Sequence, residues 1–138
     1  MAVRLEAVGA VKTLARRLFY WLPPLAWAGA IFYLSSLTRL PRPPAYPGED
    51  KVIHALFFGI LALWLLRALA GGQGMSAGRA AAFAFAFASL YGAMDEVHQH
   101  FVPPRTMDAV DWLADTFGAA VVFLAARCLP RAEGAAGP

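Results

Sequence analysis

Charge is scarce in this sequence. Only 15% of its 138 residues are Asp, Glu, Lys or Arg, against roughly 25% in an ordinary soluble domain, which excludes a disordered chain or a highly charged soluble module. Cysteine is nearly absent as well, and Cys128 alone permits neither an internal disulfide nor a cysteine-rich metal cage. No His-x-x-x-His pair places two imidazoles on one helix face, and no Gly-x-Ser-x-Gly surrounds Ser35-Ser36 to mark a nucleophilic serine. There is no internal repeat. What is present is apolar: 59% of the residues are hydrophobic, and a chain of this length supplies about four helices long enough to cross a bilayer.

Four apolar stretches appear. Leu18 to Thr38 is twenty-one residues without a formal charge, the strongest transmembrane signal in the chain. A signal peptide is the competing reading, with Arg16-Arg17 as its basic start and Ala28-Gly29-Ala30 as a cleavage site, but unbroken apolarity from Ile31 to Leu34 favours a retained span. Pro23-Pro24 should bend this helix, which a membrane helix tolerates where neighbours satisfy the freed carbonyls. The second stretch is Val52 to Ala70, with Arg67 placed to reach the interface. The third, Ala80 to Met94, alternates Phe83, Phe85 and Phe87 with alanine like a strand. A lone strand cannot satisfy its backbone in lipid, so this is read as helix, with Ala84, Ala88 and Gly92 as a small-residue packing stripe. The fourth is Ala109 to Leu129. Trp21, Trp27, Trp64 and Trp112 read as packing or interface anchors.

The expected fold is therefore all-α, a polytopic four-transmembrane-helix bundle. It divides into a basic N-terminal segment (1–17), a membrane domain (18–129) and a disordered tail (130–138) rich in Ala, Gly and Pro. Pro41, Pro43, Pro44 and Pro47 mark an extended loop, Gly71-Gly72-Gln73-Gly74 a flexible turn, and Pro103-Pro104 the end of the third helix. Eight of the twelve basic residues (Arg4, Lys12, Arg16, Arg17, Arg67, Arg79, Arg127 and Arg131) flank one set of helix ends. By the positive-inside rule both termini are cytoplasmic. The net charge of +3 then sets topology and does not make a nucleic-acid surface.

Seven of nine acids fall on or toward the opposite, outer side. Counting back to Arg67, Arg79 and Arg127 puts His54, Asp95 and Asp115 roughly 20, 24 and 18 Å into a hydrocarbon layer about 30 Å thick. An ionisable group facing lipid at such depth costs about 2.5–3.5 kcal/mol, so three helices should turn theirs inward, around an outward-facing polar pocket. Helical spacing puts Asp95 with His98 and Gln99, sets Glu96 in register with His100, and aligns Asp108, Asp111 and Asp115 in one stripe; Asp50 and His54 are four apart. Asp108 alternatively reads as an N-cap. Each of these residues also has a structural reading: His54 as a hydrogen-bonded interior side chain, the Asp95–Gln99 group as a network fixing the bundle, and Arg105 as either an anion ligand or a neutraliser of nearby acids. A metal set of His54, His98 and Asp95 is conceivable, but no metal or other cofactor is expected.

At these positions the chain resembles the VanZ-like family of small membrane proteins. The matching pieces are Trp21-Leu22-Pro23-Pro24, Ile31-Phe32-Tyr33-Leu34-Ser35-Ser36, Asp50-Lys51-x-x-His54, Asp95-Glu96-x-His98-Gln99-x-Phe101-x-Pro103-x-Arg105 and Asp111-x-x-x-Asp115-x-x-Gly118. Pro104 stands where the family tends to have Gly, and Asp115 where Asn is frequent. The resemblance implies a multi-pass protein of the bacterial cytoplasmic membrane, in a family named for resistance to glycopeptides such as teicoplanin. It implies no reaction.

Three functions are compatible with these residues. In the first, the pocket residues Asp50, His54, Asp95, Glu96, His98, Gln99, Arg105, Asp111 and Asp115 bind a membrane lipid or lipid-linked envelope component. In the second, a membrane-embedded acid/base or metal-assisted enzyme uses Asp95, Glu96, His98 or His54 on a lipid-linked substrate. The third, proton-coupled transport, would call for an oligomer, because four helices are few for a transporter.

Overall fold

The structure, a computed structural model, describes residues 2–38 and 45–128. They form four helices: α1 (Ala2–Ser35), α2 (Glu49–Arg67), α3 (Ala77–His100) and α4 (Ala109–Cys128). No strand occurs among the described residues, and the Phe83 to Phe87 alternation is helical. The expected tail at 130–138 and residues 39–44 of the proline-rich connection lie outside the described residues. Three helices, α1, α2 and α4, are long and apolar enough to cross a membrane. The 24 residues of α3 rise about 36 Å, but its C-terminal end carries Asp95, Glu96, His98, Gln99 and His100.

Pro23 and Pro24 both lie inside α1, which continues through them. Pro23 has no N–H for the carbonyl of Phe19, four residues earlier. Arg67 supplies the missing donor: its Nη1 bonds Phe19 O at 3.2 Å while its guanidinium lies 4.4 Å from the Phe19 ring centre and 4.5 Å from that of Tyr20. At the same end Arg16 Nη2 donates to Gly71 O at 2.8 Å. The glycine turn is more ordered than the sequence suggests. α2 runs on into one π-helical turn, Ala68–Gly72, closed by Gln73 N–H to Ala68 O at 3.2 Å. The reason is Tyr20, whose ring lies against both glycines: a Cβ on Gly71 would meet its Cε1 at 2.5 Å. α2 itself starts after Gly48, whose left-handed φ of 85° favours glycine.

The bundle buries polar groups beside its apolar core and turns large apolar side chains outward. Its buried apolar cluster is small, built on Ile31, Phe58, Leu61, Ala84, Ala88 and Ala119, whereas Asp95, Glu96, Gln99 and Asp115 are buried with it. The large exposed side chains follow helical stripes: Phe83, Phe87, Leu90, Met94 and Val97 on α3, and Val110, Leu113, Phe117, Val121 and Leu124 on α4. Such faces suit a lipid solvent. The small-residue stripe is buried as expected, with Ala84, Ala88 and Gly92 all inside. α2 and α4 make the closest crossing, where a Cβ on Gly118 would land on the Ala55 carbonyl. α1 is pinned from its neighbours by Trp27 Nε1 to Phe57 O and by Tyr91 Oη to Ala28 O, each 2.9 Å. The helices alternate in direction, so the C-termini of α1 and α3 meet the N-termini of α2 and α4 at one end.

Candidate functional site

That end holds nearly all the candidate residues. Lys51, in the first turn of α2, bridges three carboxylates, with Nζ 3.1 Å from Asp50, 2.8 Å from Asp108 and 2.6 Å from Asp111. Asp108 has two tasks. Its Oδ1 accepts from Val110 N–H at 2.8 Å, the N-cap bond that starts α4, and its Oδ2 meets Lys51, whose ammonium holds the carboxyl below the usual carboxylate range. One turn deeper, His54 Nδ1 lies 2.9 Å from Oδ1 of Asp115. Asp115 is wholly buried, its Oδ2 has no hydrogen-bond partner, and Gly92 makes room for it: a Cβ there would come within 2.7 Å of Oδ2.

α3 contributes three buried groups. Gln99 Nε2 donates to Asp95 Oδ2 at 3.0 Å. Glu96 Oε2 accepts from Asp108 N–H at 2.8 Å, while its Oε1 is buried without a hydrogen-bond partner. Arg105, from the loop between α3 and α4, reaches across to α1. Its Nε donates to Leu37 O and its Nη2 to Leu34 O, both at 3.2 Å, and its Nη1 to Gln99 Oε1 at 3.4 Å. The last carbonyls of a helix have no partner within it, so Arg105 caps α1, and its positive charge complements the helix dipole there.

These elements enclose a cavity of about 380 Å³. Its polar wall is Asp50, His54, Asp95, Gln99, Arg105 and Asp111; its apolar wall includes Ile31, Leu34, Ile53, Phe57 and Phe58. Ser35 lines it too, with a buried hydroxyl that has no hydrogen-bond partner. Glu96 and Asp115 stand behind the wall, on Asp108 and His54.

Two register expectations fail. His98 does not join Asp95 and Gln99: its Nε2 lies 3.0 Å from Ser36 Oγ and its ring stacks on Phe32, 4.7 Å between centres. Successive helix residues turn by about 100°, so Gln99 lies some 40° to one side of Asp95 and His98 some 60° to the other, toward α1. Glu96 likewise turns to the start of α4, while His100 is exposed, edge-on to Phe101. A metal set of His54, His98 and Asp95 is therefore not assembled. Instead His54, Glu96 and Asp111 each bring one ligand atom within 4.8 Å of the other two. The sequence reading leaves Lys51 out of the site, although its place between Asp50 and His54, one turn from the acid stripe of α4, is the signal that it belongs there.

The VanZ/LLP1 family matches residues 8–130, nearly the whole chain, and the chain belongs to that family. No curated protein and no solved structure matches it.

Proposed function

We propose that this VanZ/LLP1 protein spans the bacterial cytoplasmic membrane four times, with both termini inside, and that its outward cavity holds the polar head group of a lipid or lipid-linked envelope component. The apolar stripe on α3 supports a fourth span, with the polar residues of that helix turned into the bundle. The observation that carries the binding reading is the two-sided wall. A cavity of about 380 Å³ has room for roughly a dozen waters, which is the scale of a head group. Its acids suit hydroxyl or amine donors, the guanidinium of Arg105 keeps two of its five N–H groups for an anionic oxygen, and the apolar wall suits the start of an acyl or prenyl chain. Sequestering such a component would alter how glycopeptides of the teicoplanin type reach the surface.

Ser35→Leu fills this space without removing any paired group. The full chain in nanodiscs should retain lipids selected by head group in native mass spectrometry, and Ser35→Leu should weaken that retention at least tenfold while its melting temperature holds. Equal retention by both proteins, or no selectivity in the wild type, would sink the reading. The His54–Asp115 pair favours a second reading, an imidazole base oriented by a buried carboxylate and acting on a lipid-linked substrate. It requires that purified protein turn over such a substrate and that His54→Ala abolish the turnover.

A further inference from the structure

We propose that His54, Glu96 and Asp111 form a binding site for one divalent transition-metal ion of the zinc class, with Asp115 fixing His54 from behind. The site goes beyond head-group binding and does not depend on it. Three observations on separate helices support it. First, one donor atom each from α2, α3 and α4 lies within 4.8 Å of the other two. A four-coordinate ion with bonds of about 2.0–2.2 Å needs its donors roughly 3.3–3.6 Å apart, a closure that small side-chain torsions can supply.

Second, Glu96 is only 3% exposed and its Oε1 has no hydrogen-bond partner. Such a buried acceptor is costly unless something electropositive meets it. Its other oxygen is fixed by the Asp108 N–H, so the carboxylate is held in place. Third, His54 donates from Nδ1 to Asp115 at 2.9 Å. A carboxylate behind the imidazole is the arrangement that orients a metal-ligating histidine, and it leaves Nε2 with the lone pair.

Charge balance points the same way. Asp50, Asp95, Glu96, Asp108, Asp111 and Asp115 outnumber the fixed cations Lys51 and Arg105, and Arg105 uses three of its five N–H groups on the Leu34 and Leu37 carbonyls and Gln99. Asp111 Oδ1 lies 2.6 Å from Lys51 Nζ, and a carboxylate has lone pairs enough on its two oxygens to meet both the ammonium and an ion. The donor set of one imidazole and two carboxylates suits zinc or manganese better than calcium, which takes six to eight oxygens. Three protein ligands leave an open position, and both His54 and Asp111 border the cavity.

The experiment uses the full chain in detergent, stripped with chelator and dialysed against zinc. One zinc per chain is expected. His54→Ala, Glu96→Gln and Asp111→Asn should each lower affinity at least 100-fold, Asp115→Asn by 10- to 100-fold, and His98→Ala by less than twofold. X-ray absorption on the zinc-loaded wild type needs no variant and should show one imidazole with oxygen donors. Zinc that is not retained, that binds His54→Ala as well as wild type, or that has only oxygen or sulfur donors overturns the proposal. Ser35→Leu should keep its zinc while losing lipid, so failure of the metal site and failure of the head-group reading give different results.

Discussion

Asp115 is the most deeply committed residue in the bundle. It has no exposed surface, one of its oxygens has no hydrogen-bond partner, and the other has His54. Removing one partner of a buried pair costs about 3–5 kcal/mol, whereas removing both costs much less. His54→Ala should therefore lower the melting temperature of the detergent-solubilised protein sharply, and His54→Ala combined with Asp115→Leu should recover part of the loss. Additive losses would mean that the two side chains are not coupled. Gly118 is the steric counterpart, since a Cβ there would occupy the place of the Ala55 carbonyl. Gly118→Ala should cost at least the 1–3 kcal/mol typical of overpacking. Gly29→Ala, inside α1 with nothing within 4 Å of the added carbon, should instead hold or raise stability, by up to about 1 kcal/mol, because alanine is the better helix former. Both Asp115 and Gly118 stand in the sequence at helical spacing from Asp111. What spacing cannot give is the partner on another helix: the place of Lys51 between Asp50 and His54 marks it for the site, but its bridge to Asp108 and Asp111, like the turn of His98 toward Ser36, emerges only in three dimensions.

Among the helices, most ends read well from sequence and the joints read poorly. Apolar length and proline place α2 and α4 to within about three residues of the expected stretches, but α1 begins at Ala2, sixteen residues before the apolar run at Leu18, because a basic segment continues a helix that its hydropathy does not mark. The π-helical turn after α2 was not legible, because it depends on the Tyr20 ring lying over Gly71 and Gly72, a contact of α1 with the end of α2. The proline break in α1 offers a test of one such joint. Arg67 serves the Phe19 carbonyl because Pro23 cannot. Arg67→Met should thus destabilise the wild type more than the Pro23→Ala variant, in which the new Ala N–H bonds Phe19 O within the helix. A double-mutant cycle read by thermal unfolding should give a coupling of about 0.5–2 kcal/mol. A coupling of zero would assign the worth of Arg67 to its aromatic stacking alone. Arg105 plays the corresponding part at the other end of α1. Arg105→Ala should speed amide hydrogen exchange at Ser36 and Leu37 and leave the N-terminal half of α1 unchanged. Because the same side chain caps a helix and lines the cavity, its loss of lipid binding would not separate the two roles, whereas Ser35→Leu does.

At the scale of the molecule, charge is gathered at the two ends of the bundle. Arg16 and Arg67 tie α1 to the end of α2 at one pole, and Lys51, Arg105, the three buried α3 groups and the α4 acids gather at the other. In the proposed orientation the positive-inside rule puts the basic pole on the cytoplasmic side. The single cysteine makes this directly testable. Cys128 ends α4 at the basic pole and is exposed, so a membrane-impermeant maleimide applied to intact bacteria or spheroplasts should leave it unlabelled and should label it once the membrane is permeabilised. Tyr46 is exposed near the start of α2, at the opposite pole. Tyr46→Cys in a Cys128→Ala background should label in intact cells to the same extent as after permeabilisation. The reverse pattern would place the cavity on the cytoplasmic face and remove envelope head groups from its reach. Labelling of both sites in intact cells would mean that only two of α2, α3 and α4 cross the bilayer, with α3, the least apolar of the three, the helix left out. An outward cavity also has a steric consequence. A Tyr46→Cys maleimide adduct large enough to cover the mouth should lower lipid retention, whereas the same adduct on Cys128, at the far pole, should leave it unchanged.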